Sequence, residues 1–273
     1  MEVIDKFKGD EALDDLKIER LFPDGSTQQI TQNVAIEHHM DVLVNTIPTF
    51  EVVCSPDNLA NLVIGRLLTQ GIVASADEIE QVYVCDYGTR AEVLLKDTAK
   101  ADFTKKNIES VPTCCTGNKT LNSFFQTEEM PGEVTPIDWS NEWLFAMTTF
   151  FKNDSPSHKK SYGTHSCYIS HKGQDFETER PLMCEDLGRH NALDKVVGQA
   201  VRSGYDLTQC MIFTSGRLPV DMVSKAIRAR IPIIASKAVP TDAAIDLALK
   251  SKLTLICSAY PDSADLFLNF RNN

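Results

Sequence analysis

Two adjacent thiols, Cys114 and Cys115, stand between Pro112-Thr113 and Thr116-Gly117-Asn118-Lys119, in a stretch that has neither helical nor extended periodicity. An exposed loop with a nearby lysine favours the thiolate, which is the reactive form of cysteine. Neighbouring Cα atoms lie only about 3.8 Å apart across a trans peptide, below the roughly 4.4–6.8 Å that a disulfide normally spans. A disulfide within the pair is therefore strained, and the pair suits acceptance of sulfur as a persulfide, a reversible state of a thiol. An incidental pair of loop cysteines is the plain alternative. A metal would find only half a site in two thiolates.

Three further stretches could hold an anion. Glu185-Asp186-Leu187-Gly188-Arg189-His190-Asn191 leads into a helix carrying Asp194 and Lys195, and Thr214-Ser215-Gly216-Arg217 follows an apolar run. Ser236-Lys237-Ala238-Val239-Pro240-Thr241-Asp242 places Thr241 to cap the next helix. In open α/β sheets ligands collect beyond the carboxyl ends of strands, where helix starts offer unpaired N–H groups. If the strands are parallel the three loops share one end, with Arg189, Arg217 and Lys237 around an anion and Ser215 and the Gly216 amide donating to phosphate oxygens. Turn chemistry with surface ion pairs is the alternative. His190 and Asp194, four apart, share a helix face, which fits an oriented imidazole as well as a structural histidine.

The elements that position these residues are legible as two halves, 1–136 and 137–273. The first reads as a smaller β-rich α+β domain: strands between Ile30 and Glu51, and a helix capped by Asp57, with Leu59, Leu62, Val63, Ile64, Leu67 and Leu68 at helical spacing and Gly71 as its stop. A hairpin follows over Glu80–Cys85 and Ala91–Lys96, then a mobile connection from Val111 to Pro136 that carries the two thiols. A helix from Asp138 to Lys152 and a loop from Asn153 to Ser161 open the second half. Strands over Ser166–Ser170, Gln209–Thr214, Pro232–Ala235 and Leu253–Cys257 then alternate with helices over Asn191–Arg202, Pro219–Ala229 and Thr241–Lys250, the pattern of an α/β fold.

Composition excludes several classes. The 273 residues are 42% apolar, enough for a large core, and a net charge of −11 argues against nucleic acid, which needs clustered Lys and Arg. The charged segment Met1 to Arg20 lacks the form of an export signal, and no apolar run approaches the roughly 18 residues of a membrane span. A cytoplasmic protein without membrane attachment is expected, its eight cysteines reduced. Cys54, Cys85, Cys167, Cys210 and Cys257, in or beside apolar runs, read as buried core thiols. No zinc-binding spacing, nucleophile elbow, Walker loop or GxGxxG turn is present. Apolar helices in the second half suggest a homodimer.

The chain resembles the FdhD/NarQ family, accessory sulfurtransferases for formate dehydrogenase, over about 220 residues. The most specific block is Glu185-Asp186-Leu187-Gly188-Arg189-His190-Asn191-Ala192-Leu193-Asp194-Lys195-Val196-Val197-Gly198. Ser215-Gly216-Arg217, Met222-Val223-Ser224-Lys225-Ala226, Ile231-Pro232-Ile233 and Ala238-Val239-Pro240-Thr241 follow in the family's order, and Ser55-Pro56-Asp57, Gly65-Arg66-Leu67-Leu68 and Gly71-Ile72-Val73 match it earlier. Arg66 and Gln70 replace the family's usual Phe and Glu. The cysteines are adjacent where the family separates them by two residues, and the family's ending gives way to Ser258-Ala259-Tyr260-Pro261.

The resemblance implies a cytidine-deaminase-like α/β sandwich in the second half, without the deaminase zinc ligands and with no metal of its own. It implies that sulfur is taken from a cysteine desulfurase onto Cys114 or Cys115. The sulfur then passes to bis-molybdopterin guanine dinucleotide, the molybdenum cofactor of the formate dehydrogenase catalytic subunit. Candidate cofactor contacts are Asp186, Arg189, His190, Asn191, Asp194, Lys195, Ser215, Gly216, Arg217, Lys237 and Thr241. The alternative is a chaperone that binds the cofactor for the apo-dehydrogenase without handling sulfur. A nucleoside deaminase follows from fold analogy alone.

Overall fold

The computed structural model describes residues 1–9, 11–96, 112–113, 118–120 and 132–271. Cys114 and Cys115 lie outside the described residues. The first half contains β1 (Glu2–Asp5), β2 (Leu13–Leu21), β3 (Thr27–Ala35), β4 (His38–Val44), β5 (Ile47–Cys54), α1 (Leu59–Thr69), β6 (Ile79–Val84), β7 (Arg90–Leu95), β8 (Pro112–Thr113) and β9 (Asn118–Thr120). Seven of these strands form one sheet in the order β1-β6-β7-β4-β5-β9-β8, while β2 and β3 pair as a separate ribbon. Period-two patterning explains the inner face: Met40, Val42 and Val44 of β4 are buried and His39 and Asp41 are exposed.

The second half contains α2 (Asn141–Asn153), α3 (Pro156–Ser161), β10 (His165–His171), β11 (Leu182–Asp186), α4 (Arg189–Arg202), β12 (Cys210–Thr214), α5 (Val220–Arg228), β13 (Ile233–Ser236), α6 (Asp242–Lys250), β14 (Thr254–Cys257) and β15 (Asp265–Leu268). Its sheet runs β11-β10-β12-β13-β14-β15, with β12, β13 and β14 parallel and the flanking pairings antiparallel. The fold is mixed α/β. Helices cover both faces, so every residue of β12 is buried. Cys210 and Ile212 join the larger core, whereas Met211 and Phe213 pack with Trp143, Leu144 and Met147 of α2.

The larger core is continuous between the halves. All eleven residues of α1 are buried, because α1 packs on β1 and β6 of the first sheet and on α4 and α5 of the second half. Two glycines allow the closest approach: a Cβ on Gly65 would lie 1.7 Å from the Asp194 carbonyl oxygen, and one on Gly198 2.0 Å from that of Asn61. No side chain of any kind fits there.

Several local expectations are corrected. The stretch read as a loop over Asn153–Ser161 contains α3, which Pro156 opens at the first helical position. Asp57 does not cap α1. Asn58 takes that place with a left-handed backbone and no side-chain cap, and Asp57 turns instead to Lys195 at 2.8 Å. The ribbon β2–β3 and the edge strands β1, β11 and β15 were not expected. Gly71 ends α1 as expected, at φ +72°. Cys54, Cys167, Cys210 and Cys257 are buried, but Cys85 is only half-buried, beside the turn between β6 and β7.

Candidate functional site

The carboxyl ends of β11, β12, β13 and β14 and the start of β10 lie at one end of the second sheet, which brings the three expected loops together. The loops do not serve one purpose there. One set of side chains faces inward and joins the halves; another surrounds an open cleft.

The inward set is Asp186, Asn191, Asp194 and Lys195, all buried. Asp186 accepts from the Ser55 N–H at 3.0 Å, the Gly188 N–H at 2.8 Å and Asn191 Nδ2 at 3.0 Å, and pairs with Lys195 Nζ at 2.7 Å. Asn191 also donates to the Val53 carbonyl at 2.8 Å. Burial pulls the Lys195 ammonium down, yet Asp186 and Asp57 outweigh it and hold its pKa above the ordinary lysine value. Asp194 accepts from Lys225 Nζ at 2.7 and 2.8 Å and from Thr69 Oγ1 at 2.6 Å. These four were expected to contact a cofactor. Their hydrogen-bonding capacity is spent on the join between α1, β5, α4 and α5, because a buried charge is tolerable only when paired. The imidazole of His190 meets Asp221 Oδ2 through Nε2 at 2.5 Å.

The remaining residues sit nearer the open end. Arg189 lies against Gly216, where an added Cβ would meet the Arg189 Cβ at 2.9 Å. Its Nε is buried without a hydrogen-bond partner among the described residues, an orphaned donor suited to an anion. Ser215 Oγ accepts from the Ser166 N–H at 3.0 Å and lies 3.3 Å from His165 Nδ1. The Gly216 amide, expected to face phosphate, is taken by Thr214 Oγ1 at 3.2 Å. Thr241 Oγ1 likewise serves its helix, accepting from the Ala244 N–H at 3.4 Å, and Arg217 is exposed.

Beside this cluster opens a cleft of about 510 Å³, lined mainly by Phe151, Lys152, Ser155, His158 and Lys159 from α2, α3 and their link and by Lys237, Tyr260, Pro261 and the carboxylate-bearing Asp262 from the loops after β13 and β14. Lys237 Nζ stands 5.5 Å from the centroid of the Phe151 ring. Three lysines and two aromatic rings stand around the cavity with one carboxylate, Asp262, so the lining is cationic on balance in a chain of net charge −11. Of the expected contacts only Lys237 lines it. His158 and Lys159 were missed because their helix read as a loop.

His165 links cluster and cleft. Burial foremost, then the charge of Arg189 and the neighbouring His158 and His190, bring its pKa from 6.5 down to about 4. The unfolded chain binds this proton near 6.5 and the folded chain resists it to about 4, so acidification across that window favours unfolding. Urea midpoints should therefore fall more between about pH 7 and about pH 4.5 in the wild type than in His165→Asn. Parallel curves would remove His165 as the source.

A profile of the FdhD/NarQ family matches residues 35–271. The chain belongs to the FdhD/NarQ family. Among relatives of this family, the sulfur carrier protein FdhD of Listeria monocytogenes serotype 4b (strain F2365) is 26% identical over 254 residues, covering 92% of this chain and 95% of its own. That of Staphylococcus aureus (strain MRSA252) is 27% identical over 237 residues, covering 86% of this chain and 87% of its own. A solved structure from Desulfotalea psychrophila, described as a formate dehydrogenase accessory protein, matches with a TM-score of 0.74 and 25% identity over 95% of this chain and 98% of that one. FdhD/NarQ membership thus rests on sequence and fold together. Among the described residues no helix is long and apolar enough to cross a membrane.

Proposed function

We propose that this protein is a sulfur carrier that supplies the molybdenum cofactor of a formate dehydrogenase. The thiolate of Cys114 or Cys115 attacks the terminal sulfur of a cysteine desulfurase persulfide. The S–S bond breaks, the desulfurase thiolate leaves, and the carrier holds the sulfur as its own persulfide. The loaded sulfur then goes to bis-molybdopterin guanine dinucleotide, the substrate of the transfer, whose phosphorylated guanosine end occupies the cleft. The persulfide S–S bond breaks, the carrier thiolate leaves, and the reduced molybdenum of the substrate supplies the electron pair of the new bond to sulfur. The second half acts in this reading as a cytidine-deaminase-like sandwich turned into a cofactor cradle. The exchange is cytoplasmic and the working form a homodimer, in contact with the desulfurase and with the dehydrogenase catalytic subunit.

The observation that carries the reading is the lysine-rich, aromatic-lined cleft at the carboxyl end of the sheet, in a family whose relatives are named sulfur carriers. Arg189 and His165 stand beside it as further donors, and Lys152, Lys159 and Lys237 supply the positive charge. Incubation with a desulfurase and cysteine, followed by peptide mass spectrometry, should find added sulfur on the peptide that contains Cys114 and Cys115. Sulfur found only on other cysteines would reject the assignment.

A further inference from the structure

We propose that Glu185 is a positioning residue for the cleft: it hangs the cleft wall α3 on the sheet and so sets where His158 and Lys159 stand. The inference rests on the reading of the cleft as a nucleotide site.

A six-residue helix such as α3 has little stability of its own and depends on what satisfies its first N–H groups. Its natural cap is diverted, because Ser155 Oγ donates to the Phe151 carbonyl at 3.0 Å and sits 3.0 Å from the Tyr168 hydroxyl. Pro156 has no N–H. The next two donors both go to one carboxylate: the Ser157 N–H to Glu185 Oε2 at 2.7 Å and the His158 N–H to Glu185 Oε1 at 2.9 Å. Ser166 Oγ gives Oε1 a third bond at 2.9 Å, and Glu185 is only 7% exposed.

Consecutive residues of a strand point to opposite faces, and β11 uses this to divide two carboxylates. Asp186 turns to Ser55 and Lys195 on the join between the halves; Glu185 turns to α3. Two of the side chains of α3, His158 and Lys159, face the cleft. His158 Nδ1 lies 2.6 Å from the Thr164 carbonyl, which can only accept, so Nδ1 bears a proton and this bond orients the ring. Ring orientation is thereby fixed together with Lys159. Glutamine at 185 would set an NH₂ group against one of two N–H donors, and aspartate would shorten the arm by one methylene.

The test uses GDP as the probe, with calorimetric titration of the wild type, Glu185→Gln and Glu185→Asp and nitrogen NMR of the histidine rings in the free proteins. Glu185→Gln should weaken GDP binding by about tenfold or more and move the His158 ring signals, while those of His171, at the far end of β10, stay in place. A purely structural role would lower the urea midpoint but leave the dissociation constant and the His158 signals unchanged, which overturns the proposal. Should Glu185→Gln fail to fold, Glu185→Asp is decided by the same two readouts. A wild type that does not bind GDP removes the cleft reading and this role with it. A wild type that binds, with both variants equal to it, removes Glu185 alone.

Discussion

Alanine in place of Asp194 should destabilise the fold by about 3–5 kcal/mol, read as a lowered urea midpoint at unchanged slope. Asp194 is fully buried and accepts from Lys225 Nζ through both oxygens, at 2.7 and 2.8 Å, with Thr69 Oγ1 at 2.6 Å and Arg66 Nη1 at 3.9 Å. Without the carboxylate the Lys225 ammonium keeps the Thr69 hydroxyl at 2.9 Å and, among the described residues, no counter-charge at hydrogen-bond range. Burial already pulls the Lys225 pKa below the lysine value while Asp194 holds it up. In the variant Lys225 should therefore fold neutral. The unfolded chain would then bind one more proton than the folded one, so the variant should regain stability as pH rises towards about 10 more steeply than the wild type. Asp194→Leu with Lys225→Met, which removes both charges, should recover part of the loss. A single-variant change below about 1 kcal/mol would show that the network does not hold the halves together.

The same network shows why some of the site could be read from the sequence and some could not. Periodicity exposed α1, α4, α5 and α6 and the central strands, since each presents a regular apolar stripe or run to the core. It could not reveal α3, whose six residues include two lysines, a histidine and no apolar stripe, and whose stability comes from Glu185 on a distant strand. The edge strands β11 and β15 lacked a clear pattern for a related reason: each pairs on one side only, so alternation is weakly enforced. The block Glu185 to Lys195 stood out in the sequence, but spacing cannot say which way a charged side chain points. Half of it faces the join between α1 and α4, where Gly65 and Gly198 bring the backbones together, and the rest faces the open end of the sheet. Arg66 belongs to the same lesson. It departs from the family's usual Phe, and it is buried over the Phe50 ring at 4.9 Å, within reach of Asp194.

Cys114→Ala combined with Cys115→Ala should lower support of formate dehydrogenase activity by at least about 100-fold, because nucleophilic transfer cannot proceed without its nucleophile. The six thiols among the described residues are, with one exception, poor substitutes. Burial pushes Cys184, Cys210 and Cys257 up to about 12 and raises Cys54 and Cys167 further, which leaves them protonated and out of reach. Cys85 is the exception. Its partial burial would raise the pKa, but Thr89 and the backbone N–H groups of the β6–β7 turn outweigh that and lower it. Cys85→Ala is therefore the decisive control, and it should leave dehydrogenase support near the wild-type level. A loss confined to Cys85→Ala would move the sulfur to the hairpin. Full support from the double variant, with GDP binding intact, would replace the carrier by a cofactor chaperone. The described lining of the cleft, from α2, α3 and the loops after β13 and β14, supplies the lysines and aromatic rings of the anion site. GDP binding should thus survive the double substitution, and retained binding with lost activity is the pairing that only a sulfur carrier produces.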